Sequence, residues 1–291
     1  MKKVARNVLL LGLGSLFFLH DPAAAGTSLW KIENGNNTVY LLGSIHLLRE
    51  SDYPLPPAIE SAYDTAQVVV FETHLDSADS PAAQVKFASL GLLAEGATLG
   101  EVLSDSSYSL IRLLAVEVGM DIRVIERFKP WAAALILSLQ KMSQLGIDPA
   151  WGLDRHFFKR AKKENKEILA LETIDFQIEM LNTLSEPDQE RFLKHTFEEF
   201  AHLEQEMPRL IRAWRDGDND ETAELLSAGF DGYPELFERL IKSRNENWMS
   251  RLEALMRKHE DVLVVVGLGH LVGEHGLVQQ LRARGVPVEQ L

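Results

Sequence analysis

Four short apolar runs, each closing on a histidine or a glutamate, constrain this chain more than any other feature of its sequence. Leu41-Leu42-Gly43-Ser44-Ile45-His46 is echoed by Val265-Val266-Gly267-Leu268-Gly269-His270, and Val69-Val70-Phe71-Glu72-Thr73 by Leu169-Ala170-Leu171-Glu172-Thr173. A run without polar alternation, such as Val68 to Phe71, reads as a strand covered on both faces, which belongs to a parallel or mixed sheet. In such sheets functional groups gather beyond the carboxyl ends of the strands. Four strands that finish in His or Glu therefore point to one shared site.

The remaining elements surround that sheet. Leu29 to Ile32 and Val39 to Leu42 flank Asn34-Gly35-Asn36-Asn37, which predicts an opening β-hairpin. Helices are expected over Leu55 to Tyr63, with its prolines at the start, then over Ala82 to Leu93, Ser106 to Val118, Trp131 to Leu145 and Gly152 to Lys163. Phe176 to His259 reads as charged amphipathic helices broken at Ser185-Glu186-Pro187 and Asp216-Gly217-Asp218. A last strand, Val262 to Val266, precedes a helix from about Leu271 to Arg284 and a Val286-Pro287-Val288 tail. The expected fold is α/β (α+β mixed): a central mixed sheet with a strand-end site, covered by helices. Its largely helical middle comprises insertions over about 81–165 and 176–259.

Composition narrows the chemistry. Hydrophobic residues make up 46% of the 291, enough for a sizeable core, and Asp plus Glu (43) outnumber Lys plus Arg (30), for a net charge of −13. No basic stripe tracks a phosphate backbone, so nucleic acid is excluded as an expected partner. The absence of cysteine rules out disulfides, thiolate metal sites and cysteine nucleophiles, leaving His and carboxylates to hold any metal. Met1-Lys2-Lys3 and Arg6, the apolar run Val8 to Leu19 and Ala23-Ala24-Ala25 before Gly26 read as a secretory signal peptide over residues 1–25. The expected mature domain is 26–291, exported to a periplasm or secreted, with no transmembrane segment after cleavage.

In both Gly-x-x-His segments the glycine permits a tight turn while the imidazole offers a neutral nitrogen suited to Zn, Mn, Fe or Co. Glu72 adds a carboxylate. Two histidines and one carboxylate leave coordination positions open for water and substrate. A single strand-end histidine is ordinarily satisfied by a backbone carbonyl, but the repetition, with two strand-end glutamates, is hard to assign to packing.

These segments resemble the TraB/GumN (Tiki-like) family. The likeness spans nearly the whole mature chain: Leu29-Trp30, Leu42-Gly43-Ser44-Ile45-His46, Phe71-Glu72-Thr73, Gly152-Leu153-Asp154, Leu171-Glu172-Thr173, Arg244-Asn245 with Trp248, and Val266 to Gly273. The resemblance implies a Tiki-like metalloprotease fold, related to haem- or iron-binding and erythromycin-esterase-like proteins. It makes His46, Glu72 and His270 the ligands of a divalent ion. Glu172 is then a further ligand or the general base, and Arg244 and Asn245 are donors to an oxyanion, with a structural ion pair as the alternative for these groups. Asp154 and Arg155 fall at a helix start, where Asp commonly caps.

His74 would share a strand face with Glu72 if that strand continued, but it reads as a loop histidine rather than a ligand. His156, His195, His202, His259 and His275 read as solvated. The Gly267-Leu268-Gly269 run with Gly273 misses the dinucleotide spacing, no His-Glu-x-x-His or Gly-x-Ser-x-Gly occurs, and Asp216 to Asp220 lacks the later residues of a calcium loop. The expected function is a metal-dependent hydrolase of peptide or other amide bonds acting on a peptide or protein substrate. The alternatives are a peptide-signal or haem/metal-binding protein of the same fold, and a small-molecule esterase.

Overall fold

The computed structural model describes residues 26–45, 48–147 and 149–291. The hairpin forms where its turn chemistry directs: β1 (Leu29–Glu33) and β2 (Thr38–Ser44) pair antiparallel, Leu29 opposite Leu42 and Glu33 opposite Thr38. In the turn Asn34 Oδ1 accepts the Asn36 N–H at 2.9 Å, and Gly35 takes a φ of +84° that other residues rarely adopt.

β3 (Val68–Phe71), β4 (Glu167–Ala170) and β5 (Val262–Gly267) join in parallel, β5 lying between β2 and β3, and β6 (Glu289–Gln290) adds antiparallel to β1. The order β4-β3-β5-β2-β1-β6 makes the four motif-bearing strands consecutive neighbours running the same way. Their carboxyl ends leave the sheet at one edge. Every residue of β3, and Val262 to Val266 of β5, is buried to 1% exposure or less, as uninterrupted apolar runs require.

Thirteen α-helices occur among the described residues. The first seven are α1 (Pro57–Thr65), α2 (Leu75–Ala78), α3 (Pro81–Gly91), α4 (Leu99–Val102), α5 (Asp105–Glu117), α6 (Pro130–Gln144) and α7 (Leu153–Glu164). The rest are α8 (Ile174–Asn182), α9 (Glu186–Asp216), α10 (Asn219–Ala228), α11 (Pro234–Phe237), α12 (Ser243–Leu255) and α13 (Leu277–Ala283). Their starts are written in the sequence. Proline occupies the first turn of α1, α3, α6, α9 and α11, and the side chains of Ser80, Ser104, Thr173, Ser185 and Asp218 each cap the helix that follows.

Two cores result. One packs Trp30, Tyr63, Phe157, Trp214 and Trp248 against the sheet, and the other gathers Ile111, Trp131, Leu137 and Leu193 among α5, α6 and α9. α9 serves both, through Leu193 and Phe200 at one end and Met207 and Trp214 at the other. Trp214 Nε1 donates to the Gly43 carbonyl at 2.7 Å, tying the long helix to the end of β2. No helix among the described residues is long and apolar enough to cross a membrane.

Two expectations need correction. The helix expected from about Leu271 begins only at Leu277, because Gly273 takes a φ of +77° and the Gly276 N–H closes a turn on the Gly273 carbonyl at 3.1 Å. The tail ends in β6. β3 stops at Phe71, so His74 lies beyond the strand, as a loop histidine, and its ring stands edge-on to Phe158 at 5.1 Å. The signal-peptide reading concerns residues outside those described.

Candidate functional site

Parallel pairing continues past the ends of β3 and β4: the Leu171 N–H donates to the Phe71 carbonyl, and the Glu172 N–H to the Glu72 carbonyl, each at 2.8 Å. The two glutamates are thereby held side by side. β5 turns sharply through a short helical turn, Leu268–His270, that buries the His270 imidazole. Opposite them lies α12, whose inward face carries Arg244, Asn245 and Trp248. Thr173 explains the second half of one Glu-Thr pair, since it caps α8.

Arg244 occupies the centre. Its Nε and Nη2 donate to Glu172 Oε1 at 3.0 and 2.7 Å, and Nη2 also pairs with Glu72 Oε2. Nη1 donates to the Leu240 carbonyl at 3.0 Å and to His270 Nε2 at 2.9 Å. All five guanidinium hydrogens are therefore engaged. Burial opposes the charge of Arg244, but Glu72 and Glu172 outweigh it and hold the group above its ordinary value. Trp248 underlies the cluster: Nε1 donates to Glu172 Oε2 at 2.8 Å, the guanidinium carbon sits 4.8 Å from the indole centre, and the His270 ring lies 4.4 Å away.

Asn245 fixes the histidine. Its amide hydrogens go to the carbonyls of His270 (3.1 Å) and His275 (3.0 Å), which turns Oδ1 toward His270 Nδ1 at 2.7 Å. Nδ1 must then carry the hydrogen, leaving Nε2 an acceptor directed into the cluster, as the Arg244 donor requires. Asn245 is fully buried, with both amide hydrogens on carbonyls and its Oδ1 orienting His270. The Glu172 oxygens accept from Arg244, Gln177 and Trp248.

The structure thus assembles Glu72, Glu172, Arg244, Asn245 and His270, while His46 lies outside the described residues. Glu72 Oε1 stands 3.9 Å from His270 Nε2, a separation that two ligands of one ion can share. In kind the groups fit: Nε2 is an unprotonated imidazole nitrogen whose Nδ1–H is anchored by an amide oxygen, the support usual for a metal-binding histidine, but its lone pair here accepts from Arg244 Nη1, so an ion would have to displace that donor. Among the described residues no group of three His, Asp or Glu side chains forms a ligand cluster, so a three-ligand set depends on His46.

A profile of the TraB/PrgY/gumN family matches residues 28–290. The chain belongs to this family. It is 26% identical over 249 residues to uncharacterized protein YbaP of Escherichia coli K12, covering 85% of this chain and 89% of that protein, and equally to YbaP of Shigella flexneri. An uncharacterized protein of Treponema pallidum is 22% identical over 269 residues, covering 88% of this chain and 80% of that one. No solved structure matches the chain.

The family match runs from the start of β1 to β6, so every strand bearing a site residue falls inside it. Gln177 carried no sequence signal, and Gly267, marked in the sequence for its turn, adds a backbone donor that the motif did not announce. Gln177 of α8 donates to Glu172 Oε1 at 2.8 Å and reaches Glu72 Oε2 at 3.4 Å, and the Gly267 N–H donates to Glu72 Oε1 at 2.8 Å. Other expectations shift with burial. His156 and His195 are largely buried beside aromatic rings, with Nε2 of each lacking a hydrogen-bond partner, whereas His202 and His259 are exposed. Asp154 lies in the first turn of α7 behind its cap, Gly152, and Arg155 pairs with Asp79 at 2.7 Å.

Proposed function

We propose that this TraB/PrgY/gumN protein is an exported, metal-dependent hydrolase of peptide or other amide bonds with a Tiki-like site. The observation that carries the reading is the preset His270 Nε2, fixed by Asn245 and facing Glu72 and Arg244 at the edge where four parallel strands end. His46, Glu72 and His270 would hold the ion. A divalent cation there supplies an acidified water and a polarised carbonyl.

The chain's own groups then have distinct tasks. Were Nε2 and the Glu72 carboxylate to hold a cation, one Nη1 and one Nη2 hydrogen of Arg244 would be freed, and these two donors would suit an oxyanion. Glu172, Gln177 and Trp248 keep the guanidinium in place meanwhile. Water adds to the carbonyl carbon, the carbon–nitrogen bond breaks, and the proton passes to the leaving amine. The complete engagement of Arg244 by protein acceptors favours a second reading, in which the chain holds a peptide signal or haem-like ligand without turnover. Esters against amides in one substrate panel separate the esterase variant of the first reading.

The test is elemental analysis of the purified mature chain beside the His46→Ala/His270→Ala double variant, with peptidase assays of both. Stoichiometric metal and turnover, lost together in the variant, are the expected result. Full peptidase activity in the double variant overturns the proposal, and metal with ligand binding but no cleavage selects the second reading.

A further inference from the structure

A cavity of about 690 Å³ adjoins the site and shares its walls. Leu226, Phe230, Phe237, Ile241 and Val272 give it a mainly apolar lining, and its volume falls in the range of ligand pockets. Single segments lie between the cavity and the site side chains, none of which lines it. Gly269 lines the cavity while the adjacent His270 points into the site; Ile241 lines it while Leu240 receives Arg244 Nη1; His275 lines it while its carbonyl receives Asn245 Nδ2.

Gly269 is the informative residue. Its backbone is outside the left-handed region, so conformation does not demand glycine. A Cβ there would find nothing closer than the Ile241 and Leu226 methyl groups at 3.9 Å, so packing does not demand it either. The contrast is Gly43, where a Cβ would collide with Leu268. What glycine leaves at 269 is room for a methyl group in ordinary contact with two aliphatic side chains, next to the preset histidine. A second sign is the π-helical turn Glu238–Lys242 leading into α12, a rare irregularity that is often found at functional sites; it forms one wall and sets Ile241 toward the cavity and Arg244 toward the site.

We propose that this cavity is the specificity pocket of the site and takes a large aliphatic or aromatic side chain of a peptide. The assignment builds on the peptide-hydrolase reading. The rim sets the company that side chain keeps. Glu224, Glu238 and Glu274 surround the opening, with Lys242 paired to Glu238 at 2.8 Å, so the excess rim charge is negative and an acidic neighbour in the peptide is repelled.

Fluorescein-labelled heptapeptides, neutral or basic apart from the dye and differing only in a central Leu, Phe, Ser or Glu, provide the test with the mature chain. Binding is read by anisotropy and cleavage by mass spectrometry. Leu and Phe peptides are expected to bind about tenfold or more tightly than Ser, the gain from burying one large apolar side chain, and Glu more weakly still. Gly269→Leu fills the space and Leu226→Glu charges it; each should abolish the preference, and the second lies outside the His270 segment should the first fail to fold. Equal binding of all four peptides by the wild type, or a preference unchanged in a folded variant of either kind, overturns the pocket assignment. Preference without cleavage keeps the pocket and counts against hydrolysis, whereas cleavage without preference does the reverse.

Discussion

Arg244 is the residue whose loss the carboxyl edge would feel most. It neutralises two carboxylates that are themselves almost buried, Glu172 at 7% and Glu72 at 17% side-chain exposure. Arg244→Met would strand both, and removing one partner of a buried ion pair typically costs about 3–5 kcal/mol. Urea unfolding at neutral pH should show that loss, and a midpoint unchanged from the wild type would refute the ion-pair account. Both glutamates and His270 were legible in the sequence because repetition distinguished them from ordinary core residues. Gln177 was not, since a glutamine on an amphipathic helix looks like any solvated position until the sheet brings Glu72 and Glu172 beneath it.

At the scale of elements, α9 is the tie between the two cores, and two of its contacts make separate predictions. Trp214→Phe keeps the ring but leaves the buried Gly43 carbonyl without its 2.7 Å donor, so a loss of about 1–3 kcal/mol is expected in chemical denaturation. An unchanged midpoint would mean that another donor replaces the indole. Nearer the start of α9, Glu190 accepts from Ser104 and Ser107 at the head of α5. Burial alone would raise its pKa, but the hydroxyls of Ser104 and Ser107 and the Lys194 ammonium prevail and lower it to about 2. A depressed carboxyl contributes stability above its unfolded pKa and loses it as pH falls through the folded value. Melting temperatures of wild type and Glu190→Gln should therefore differ at neutral pH and converge between about pH 4.5 and pH 2. Most helix starts were readable because proline and capping hydroxyls act locally. The segment 271–276 was misread because Leu271, Val272, Leu277, Val278 and Leu281 imitate a helical stripe, whereas the left-handed backbone at Gly273 is decided by the sharp exit from β5. β6 was invisible, as two residues paired with β1 have no period to detect.

Across the whole molecule, the site closes only when distant parts of the chain meet, since β2 and β5 are neighbours in the sheet although they stand near opposite ends of the sequence. If the proposed ligand set holds an ion, it does so only in the folded chain, so the ion would stabilise the fold by mass action, about 2.7 kcal/mol at a hundredfold excess over Kd. For a chain of this size that corresponds to a melting temperature higher by about 4–5 °C. The net charge of −13 attracts any cation diffusely, so the decisive comparison is between ions of equal charge. Imidazole nitrogen favours Zn or Co over Mg, which prefers oxygen and keeps its water. Chelator-treated protein should therefore melt higher in Zn or Co than in the same concentration of Mg, and His270→Ala should remove that difference. Equal shifts for all three ions, or a shift that survives in the variant, would place the cations on the acidic surface and take the metal away from the carboxyl edge.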